Sequence, residues 1–271
     1  MRNARLLMAA LVLVAGACSV PGLPSPATPG DTKKTTESTD FPKFCGDKDP
    51  LGCRAYIDFA RHAIEHTVTL QFRYYDRTVG ERVWESTGTI VPVRGTRYVL
   101  TVSHAFEPTT LYVTASVRAL SESGDQMELA NPIPMRVVAY DRAWDGVLLE
   151  PMFPDIPLPN AIDLRSDPLV PGELVWHFGK KSGWSIGAVK DVATTWMSVS
   201  PVTEIAMTCE HGDSGGPVVD AQGRFVGYVL GGTTEESMAS TGPTYASSVR
   251  NTLAALVRDM DVRAARRGTK P

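Results

Sequence analysis

The sequence predicts an all-β fold with a short helix before the strands and a second helix after them. Between residues 66 and 247, short runs of β-forming residues are divided by Gly, Pro, Asn and Asp. Strands at this spacing are typical of sandwiches and barrels. Of the 271 residues, 43% are hydrophobic and 21% charged, which is ordinary for a globular protein and excludes disorder throughout.

The expected strands form two sets on either side of a segment with six prolines, residues 151–171. The first set comprises Val68–Phe72, Gly88–Val93, Tyr98–Val102, Leu111–Leu120, Met135–Tyr140 and Gly146–Leu149. The second comprises Leu174–Phe178, Ser185–Val192, Trp196–Val199, Pro217–Val219, Phe225–Leu230 and Thr244–Ala246. We therefore expect one β-domain over 66–150, a crossover over 151–171, and a second β-domain with its final helix over 172–271.

Helical periodicity occurs at both ends of the strand region. Residues 54–64 place Tyr56, Phe59, Ala60 and Ala63 on one face. From about Ser248 a second helix presents Val249, Leu253, Leu256, Val257 and Met260 on one face. The five Trp residues show no cage spacing and are interpreted as core.

The N-terminus predicts an exported protein. Arg2 and Arg5 precede an apolar run of twelve residues, residues 6–17, which is short of the about 20 that span a bilayer. Residues 1–17 are therefore interpreted as a signal peptide. The small residues leading into Cys18 resemble a lipobox, so Cys18 is the expected lipid anchor; an Ala-x-Ala site would serve an ordinary secretory peptidase equally well.

Between the signal peptide and the strands, residues 18–40 are rich in Pro, Gly, Ser and Thr and predict a disordered tether. Residues 41–65 form an N-terminal extension that includes the first helix. Cys45 and Cys53 enclose a polar turn and are the expected local disulfide. Cys209 would then be unpaired, although a bridge from Cys209 to either of them stays open.

The charge of the chain excludes one class of partner. Lys and Arg total 27 against 30 Asp and Glu, a formal net charge of −3. Such a chain has no basic field to hold a phosphate backbone, so nucleic acid is not an expected partner.

The strongest chemical motif is the glycine-rich hexapeptide that begins at Gly212 and contains Ser214, directly before a strand. A serine nucleophile needs an exposed hydroxyl, a nearby base, and backbone N–H groups aimed at the oxyanion. The run also satisfies the nucleophile elbow of α/β-hydrolases. That fold requires a histidine after the serine, whereas all five histidines precede Ser214.

Two upstream segments supply partners for this serine. His104 follows an apolar strand, which would put its imidazole at a strand end facing a cleft. Asp145 begins another apolar strand, where its carboxylate can be buried and accept the Nδ1–H of a histidine. The chain order His104, Asp145, Ser214 fits a catalytic triad assembled across two packed halves.

These segments resemble the trypsin-like, chymotrypsin-fold serine proteases. Leu-Thr-Val-Ser-His-Ala at 100–105 is similar to the family's Leu-Thr-Ala-Ala-His-Cys, and Asp-Gly-Val-Leu-Leu at 145–149 to its Asp-Ile-Ala-Leu-Leu. Gly-Asp-Ser-Gly-Gly-Pro at 212–217 matches in full. The resemblance implies two six-stranded antiparallel β-barrels with the site between them, an oxyanion hole formed by the N–H groups of Gly212 and Ser214, and a serine endopeptidase.

The resemblance also has departures. The family's Ile-Val-Gly-Gly segment, whose freed amine pairs with the aspartate at the position of Asp213, is not found. Asp213 is therefore expected to need another cation, such as an arginine. Ala105 replaces the family's cysteine. By the family's layout, the walls of the substrate pocket are expected to include Thr208, Glu210, His211, Leu230, Gly231 and Gly232.

Two other functions stay open. One is a protease-fold binding module whose triad is present but misaligned. The other is a zinc peptidase, because His62, Glu65 and His66 match His-x-x-Glu-His. The preferred hypothesis is a monomeric, exported serine endopeptidase that acts on polypeptides and for which no metal or organic cofactor is implied.

Overall fold

Two antiparallel β-barrels make up most of the computed structural model, which describes residues 58–106, 109–120, 126–129, 131–180, 184–232 and 243–268. The first helix, α1, is described over residues 58–64. The last, α2, spans Val249–Gly268. None of the helices in these ranges is both long and apolar enough to cross a membrane.

The first barrel uses the strands of the first set. Its strands are β1 (Thr67–Asp76), β2 (Gly80–Val93), β3 (Thr96–Val102), β4 (Thr110–Leu120), β5 (Gln126–Glu128), β6 (Ile133–Asp141) and β7 (Gly146–Pro151). They are ordered β1-β2-β3-β7-β6-β4, and a β1–β4 pairing closes the ring of six. The short β5 extends from β4.

The second barrel is also closed and antiparallel. Its strands are β8 (Leu174–Phe178), β9 (Trp184–Trp196), β10 (Val199–Ile205), β11 (Pro217–Val219), β12 (Phe225–Gly232) and β13 (Thr244–Ser248). The order is β10-β13-β12-β11-β8-β9. The predicted fold class, two six-stranded barrels with a helix at each end, is therefore confirmed, whereas the domain boundaries stay a prediction.

One predicted strand is wrong. Trp196–Val199 is the turn of the β9–β10 hairpin, and the strand that follows, Val199–Ile205, was missed. Trp and Val favour strands, and of the usual turn residues only Ser198 marks the reversal, without Gly, Pro or Asn. The chain turns because Met197 adopts a left-handed conformation, with φ +51°.

The interior forms two apolar clusters. The larger one fills the first barrel, continues under both helices and includes second-barrel residues such as Phe178 and Tyr228, whereas the smaller lies inside the second barrel around Val175, Ile205 and Val229. The first helix packs on the second barrel: the ring of Phe59 lies 5.5 Å from Trp176 and 6.0 Å from Phe178. Burial of these rings joins the helix to the second barrel.

The C-terminal helix supports the turn that carries Asp145. A methyl group placed on Gly146 would lie 2.5 Å from the side chain of Thr252, so only glycine lets the helix approach this closely. Tyr228 of β12 donates a hydrogen bond of 2.7 Å to the carbonyl of Trp144. Arg94 in the β2–β3 turn makes a two-pronged ion pair with Asp261 of the helix.

Candidate active site

His104 and Asp145 lie in contact at the adjacent ends of β3 and β7. The pairing of Val102 with Gly146 brings the two strand ends together. The Nδ1 atom of His104 then lies 2.6 Å from Oδ2 of Asp145. Because a carboxylate oxygen only accepts, Nδ1 carries the hydrogen, which leaves Nε2 of the neutral ring as a proton acceptor.

The Asp145 carboxylate is well satisfied although it is buried. Its other oxygen, Oδ1, accepts hydrogen bonds from the Ser103 hydroxyl at 2.7 Å and the His104 N–H at 2.8 Å. The Asp145 side chain is 7% exposed, whereas that of His104 is 44% exposed. The pair therefore has an anchored, enclosed carboxylate and an imidazole that faces solvent.

Ser214 lies on a tight loop between β10 and β11. Gly212 and Gly215 adopt φ values of +97° and +84°, a region that side chains other than glycine rarely occupy. The Gly215 N–H donates to Val229, and the Gly216 N–H to Asp213. Within the described chain, the N–H groups of Gly212 and Ser214 donate to no protein acceptor.

The first barrel brings this loop to the histidine. The Ser214 carbonyl accepts hydrogen bonds from the Thr87 N–H at 3.0 Å and the Ser86 hydroxyl at 2.6 Å. Thr101 of β3 donates to the carbonyl of Thr87, so Ser214 is held beside the strand end that leads into His104. His104 and Asp145 are therefore in contact, and Ser214 is held against β2, next to the strand that leads into His104; the triad itself stays a prediction.

The hydroxyl of Ser214 points to a backbone oxygen. It donates a hydrogen bond of 3.1 Å to the carbonyl of Leu230, and no hydrogen bond joins it to His104 in the part of the chain that the structure describes. Transfer of its proton to His104 therefore requires a rotation about the Cα–Cβ bond of Ser214.

Asp213 is fully buried beside two basic side chains. Its Oδ2 accepts the Glu210 N–H at 2.8 Å and lies 3.8 Å from Nε2 of His177, which is itself fully buried. Burial lowers the pKa of the Arg118 guanidinium to about 10, while the Asp213 carboxylate acts in the opposite direction. The sequence predicts a cation such as an arginine as the partner of Asp213. Arg118 of β4 fits this prediction, because the Asp213 carboxylate raises its pKa.

The residues expected to line the substrate pocket come from two segments that touch. A methyl group on Gly232 would lie 3.0 Å from the sulfur of Cys209, between Thr208 and Glu210 in the chain. The Thr208 carbonyl accepts a hydrogen bond from Ser185. His211 packs edge-on against Trp84 of the first barrel, at 5.8 Å between ring centroids. The role of the six predicted pocket residues in substrate binding stays a prediction.

Trp196 lies beside His104, and no sequence motif predicted this contact. The Trp196 ring lies 6.1 Å from the His104 ring and is stacked 6.2 Å from Tyr245. It also covers Gly231, where a methyl group would lie 2.7 Å from the indole. Trp196 therefore joins the histidine to the 230–232 segment. The one signal in the sequence is the glycine at position 231, which leaves room for a neighbour this close.

The alternative zinc motif has a different environment. The His62 and His66 rings lie edge-on at 4.9 Å, and Nδ1 of His66 is 2.6 Å from the carbonyl of Asn160. Within the described ranges, no group of three or more His, Cys, Asp or Glu side chains could hold a metal ion. Nothing in these contacts favours the zinc hypothesis.

A sequence comparison identifies the family. The model of the trypsin-like peptidase domain matches residues 86–227, just over half of the chain. The chain belongs to the trypsin-like peptidases. The predicted family is thereby confirmed. No curated protein matches the sequence of this trypsin-like peptidase.

Solved structures agree on the fold of this trypsin-like peptidase. The HtrA-type protease AlgW with a tripeptide superposes at a TM-score of 0.57 and 18% identity, over 75% of this chain and 63% of that one. The Rv3671c protease from M. tuberculosis, in its active form, gives 0.54 and 19%, over 76% of this chain and 86% of that one. The chain thus spans less than two thirds of the length of the AlgW chain.

Proposed function

We propose that the protein is a serine endopeptidase that cleaves peptide bonds through an acyl-enzyme on Ser214. The observation that carries the proposal is the 2.6 Å contact between His104 Nδ1 and a buried Asp145 carboxylate. This contact fixes the tautomer in which Nε2 can accept a proton. The nucleophile is the only serine in the glycine-rich loop beside that histidine.

In the proposed reaction, His104 Nε2 takes the proton of the Ser214 hydroxyl while Oγ attacks the peptide carbonyl. The carbonyl becomes an oxyanion, which the N–H groups of Gly212 and Ser214 stabilise. His104 then gives its proton to the leaving amine, and an acyl ester stays on Ser214. Water, deprotonated by His104, hydrolyses the ester and restores the serine. Asp145 stabilises the transient imidazolium without becoming protonated.

A polypeptide substrate fits the strand edge beside Ser214. Strand β12 pairs with β11 only over Phe225–Tyr228, so the segment 230–232 continues past β11. An extended peptide can pair with such an edge. The AlgW structures contain a tripeptide and a decapeptide, which supports the same class of substrate here.

The proposed site of action is extracytoplasmic. The interpretation rests on the charged and apolar N-terminus, with Cys18 as the lipid anchor. Cys18, Cys45 and Cys53 lie outside the described residues, so the anchor and the disulfide stay predictions. Mass spectrometry of the protein purified from membranes tests both modifications at once.

A fluorophosphonate probe tests the proposed function, because it forms a covalent bond only with an activated serine. We expect the full-length protein to be labelled and Ser214→Ala to be unlabelled. The matched control is Ser166→Ala, which removes an exposed serine from the interdomain segment and should be labelled like the wild type. Labelling that persists in Ser214→Ala would refute Ser214 as the nucleophile.

A catalytically silent binding module is the second candidate. The hydrogen bond from the Ser214 hydroxyl to Leu230, rather than to His104, favours it. This candidate predicts that the wild-type protein is not labelled at any pH at which it stays folded. Peptidase activity that a zinc chelator abolishes would instead support His62, Glu65 and His66.

A further inference from the structure

Thr87 of β2 bonds the serine loop twice. Its hydroxyl donates a 2.8 Å hydrogen bond to the carbonyl of Gly212, and its N–H donates to the carbonyl of Ser214. Thr87 is fully buried. It belongs to the first barrel, whereas the loop belongs to the second. The residue therefore connects the barrels at the two positions that flank Asp213.

These bonds hold the peptide units on either side of the one between Asp213 and Ser214, whose own carbonyl accepts the Gly216 N–H. A peptide unit is planar, so holding its carbonyl also orients the N–H on the other end. The unit after Gly212 is held by Thr87 through its carbonyl and by Glu210 through the Asp213 N–H. The unit after Ser214 is held by Thr87 and, through the Gly215 N–H, by Val229. The unit between them carries the Ser214 N–H.

Gly212 is the part of this loop that most needs to be held. With φ at +97° and no side chain, its backbone can rotate at little cost, and rotation would redirect its own N–H. The Thr87 hydroxyl bonds the carbonyl of this same glycine. A side chain of the first barrel thus restrains the hinge that sets one of the two oxyanion donors.

We propose that Thr87 is a positioning residue that keeps the oxyanion N–H groups of Gly212 and Ser214 directed at the substrate carbonyl. The inference rests on the proposed acyl transfer at Ser214. It adds that the second barrel's loop acquires its active geometry from the first barrel, through a hydroxyl group that touches neither substrate nor catalytic side chain.

The neighbouring hydroxyl groups do not duplicate this contact. Ser86 donates to the carbonyl of Ser214, and Thr89 donates to that of Gly215 at 3.0 Å. Both acceptor carbonyls follow the Ser214 N–H in the chain. The Thr87 hydroxyl donates to Gly212 and accepts the N–H of Lys180 at 3.2 Å, and this second bond helps to orient it.

Thr87→Val tests the inference because it removes the hydroxyl, keeps the shape, and leaves the N–H bond to Ser214. The readout is the saturation kinetics of fluorophosphonate labelling, which separates the maximal rate from probe affinity. We expect the maximal rate to fall by about 10- to 100-fold, below the about 10²- to 10³-fold typical of deleting an oxyanion donor, with affinity unchanged.

Thr67→Val is the matched control. Thr67 is a fully buried threonine of the same barrel whose hydroxyl donates 2.8 Å to a backbone carbonyl, that of Ile64, away from the serine loop. Thr67→Val loses one hydrogen bond and Thr87→Val loses two, those with Gly212 and Lys180, so the melting temperature of Thr87→Val should fall somewhat more. Only Thr87→Val should have a reduced maximal rate of labelling. Equal labelling rates in the two variants would overturn the inference.

A second pair keeps the test decisive if Thr87→Val does not fold. Thr87→Ser and Thr87→Ala both lack the methyl group and differ only in the hydroxyl. We expect the serine variant to label near the wild-type rate and the alanine variant to be slow; equal rates would contradict the proposal. Failure of the wild type to label would refute the proposed function instead, so the two failures are distinguishable.

Discussion

The two barrels each contain a buried aspartate next to a histidine, and the two pairs differ in what the histidine can do. In the first barrel, His104 touches Asp145 through Nδ1 at 2.6 Å, and its side chain is 44% exposed. In the second, His177 approaches Asp213 through Nε2 at 3.8 Å, and both side chains are fully buried. Only the first pair has a histidine that reaches solvent, as the proposed proton transfer requires.

The hydrogen bonds of the His177 ring support the same distinction between the two pairs. Nδ1 of His177 donates to the carbonyl of Pro217 at 3.1 Å, and its Nε2 has no hydrogen-bond partner among the described residues. A methyl group on Gly216 would lie 2.8 Å from this ring, so the loop packs directly on it. The second pair therefore shapes the serine loop, whereas the first is suited to proton transfer.

Asp145→Asn should have the largest effect, because an asparagine can hold the wrong tautomer of His104. We expect the maximal labelling rate to fall by about 10⁴-fold with little change in fold, as judged by circular dichroism. Asp163→Asn, at an exposed aspartate of the interdomain segment, serves as the control. A loss below tenfold would remove Asp145 from the proposed mechanism.

Trp196→Ala should weaken the use of extended peptides. The indole covers Gly231 beside His104, so its loss exposes the edge on which a peptide would lie. We expect kcat/KM for peptides to fall by about tenfold while labelling by a small fluorophosphonate is nearly unchanged. Met197→Ala, at the neighbouring exposed residue, is the control. Equal losses with both substrates would argue against a role in peptide binding.

His177→Asn should have a smaller effect on chemistry than any change at His104. The asparagine amide can replace the Nδ1 donor to Pro217, and the residue contacts no solvent. We expect labelling within about threefold of the wild type, whereas His104→Asn should abolish it. A loss as large as that of His104→Asn would mean that the second pair takes part in the reaction.

His66 should contribute the smallest effect, a dependence of stability on pH. Burial lowers the pKa of its imidazole below 6.5, with His62 acting in the same direction and the Asn160 carbonyl opposing it. Below pH 6.5 the unfolded chain therefore binds a proton that the folded chain does not.

The free energy of unfolding should accordingly fall as the pH drops from 6.5 towards the pKa of folded His66, and be unaffected above that range. Urea unfolding of the wild type and of His66→Gln at several pH values measures this contribution. The variant should have a shallower slope; identical slopes would assign the pH dependence to other groups.

The sequence was most informative where local pattern and chemistry coincide. Ser214 lies in a run of specified glycines, and His104 and Asp145 each adjoin an apolar strand, so both the fold class and the candidate triad could be predicted. The pairing of Val102 with Gly146 then places the histidine and aspartate together by the ordinary geometry of neighbouring strands.

Contacts between distant segments could not be predicted in this way. Thr87 and Gly212 are 125 residues apart, and nothing in a threonine within a strand indicates that its hydroxyl will meet a glycine of the other barrel. Trp196 ends strand β9, and nothing in its neighbours indicates that its ring will lie beside His104. Both residues depend on how the barrels pack and on backbone angles that composition does not encode.

The packing of the C-terminal helix against Gly146 means that a segment more than one hundred residues later in the chain completes the support of the turn that carries Asp145. Tyr228 and Thr252 reach this turn from parts of the chain synthesised more than eighty residues after it, as the 84-residue span from Trp144 to Tyr228 shows. We expect a chain truncated before this helix to keep the hydrogen bonds of the Asp145 carboxylate to Ser103 and His104 but to lose the packing that supports its turn.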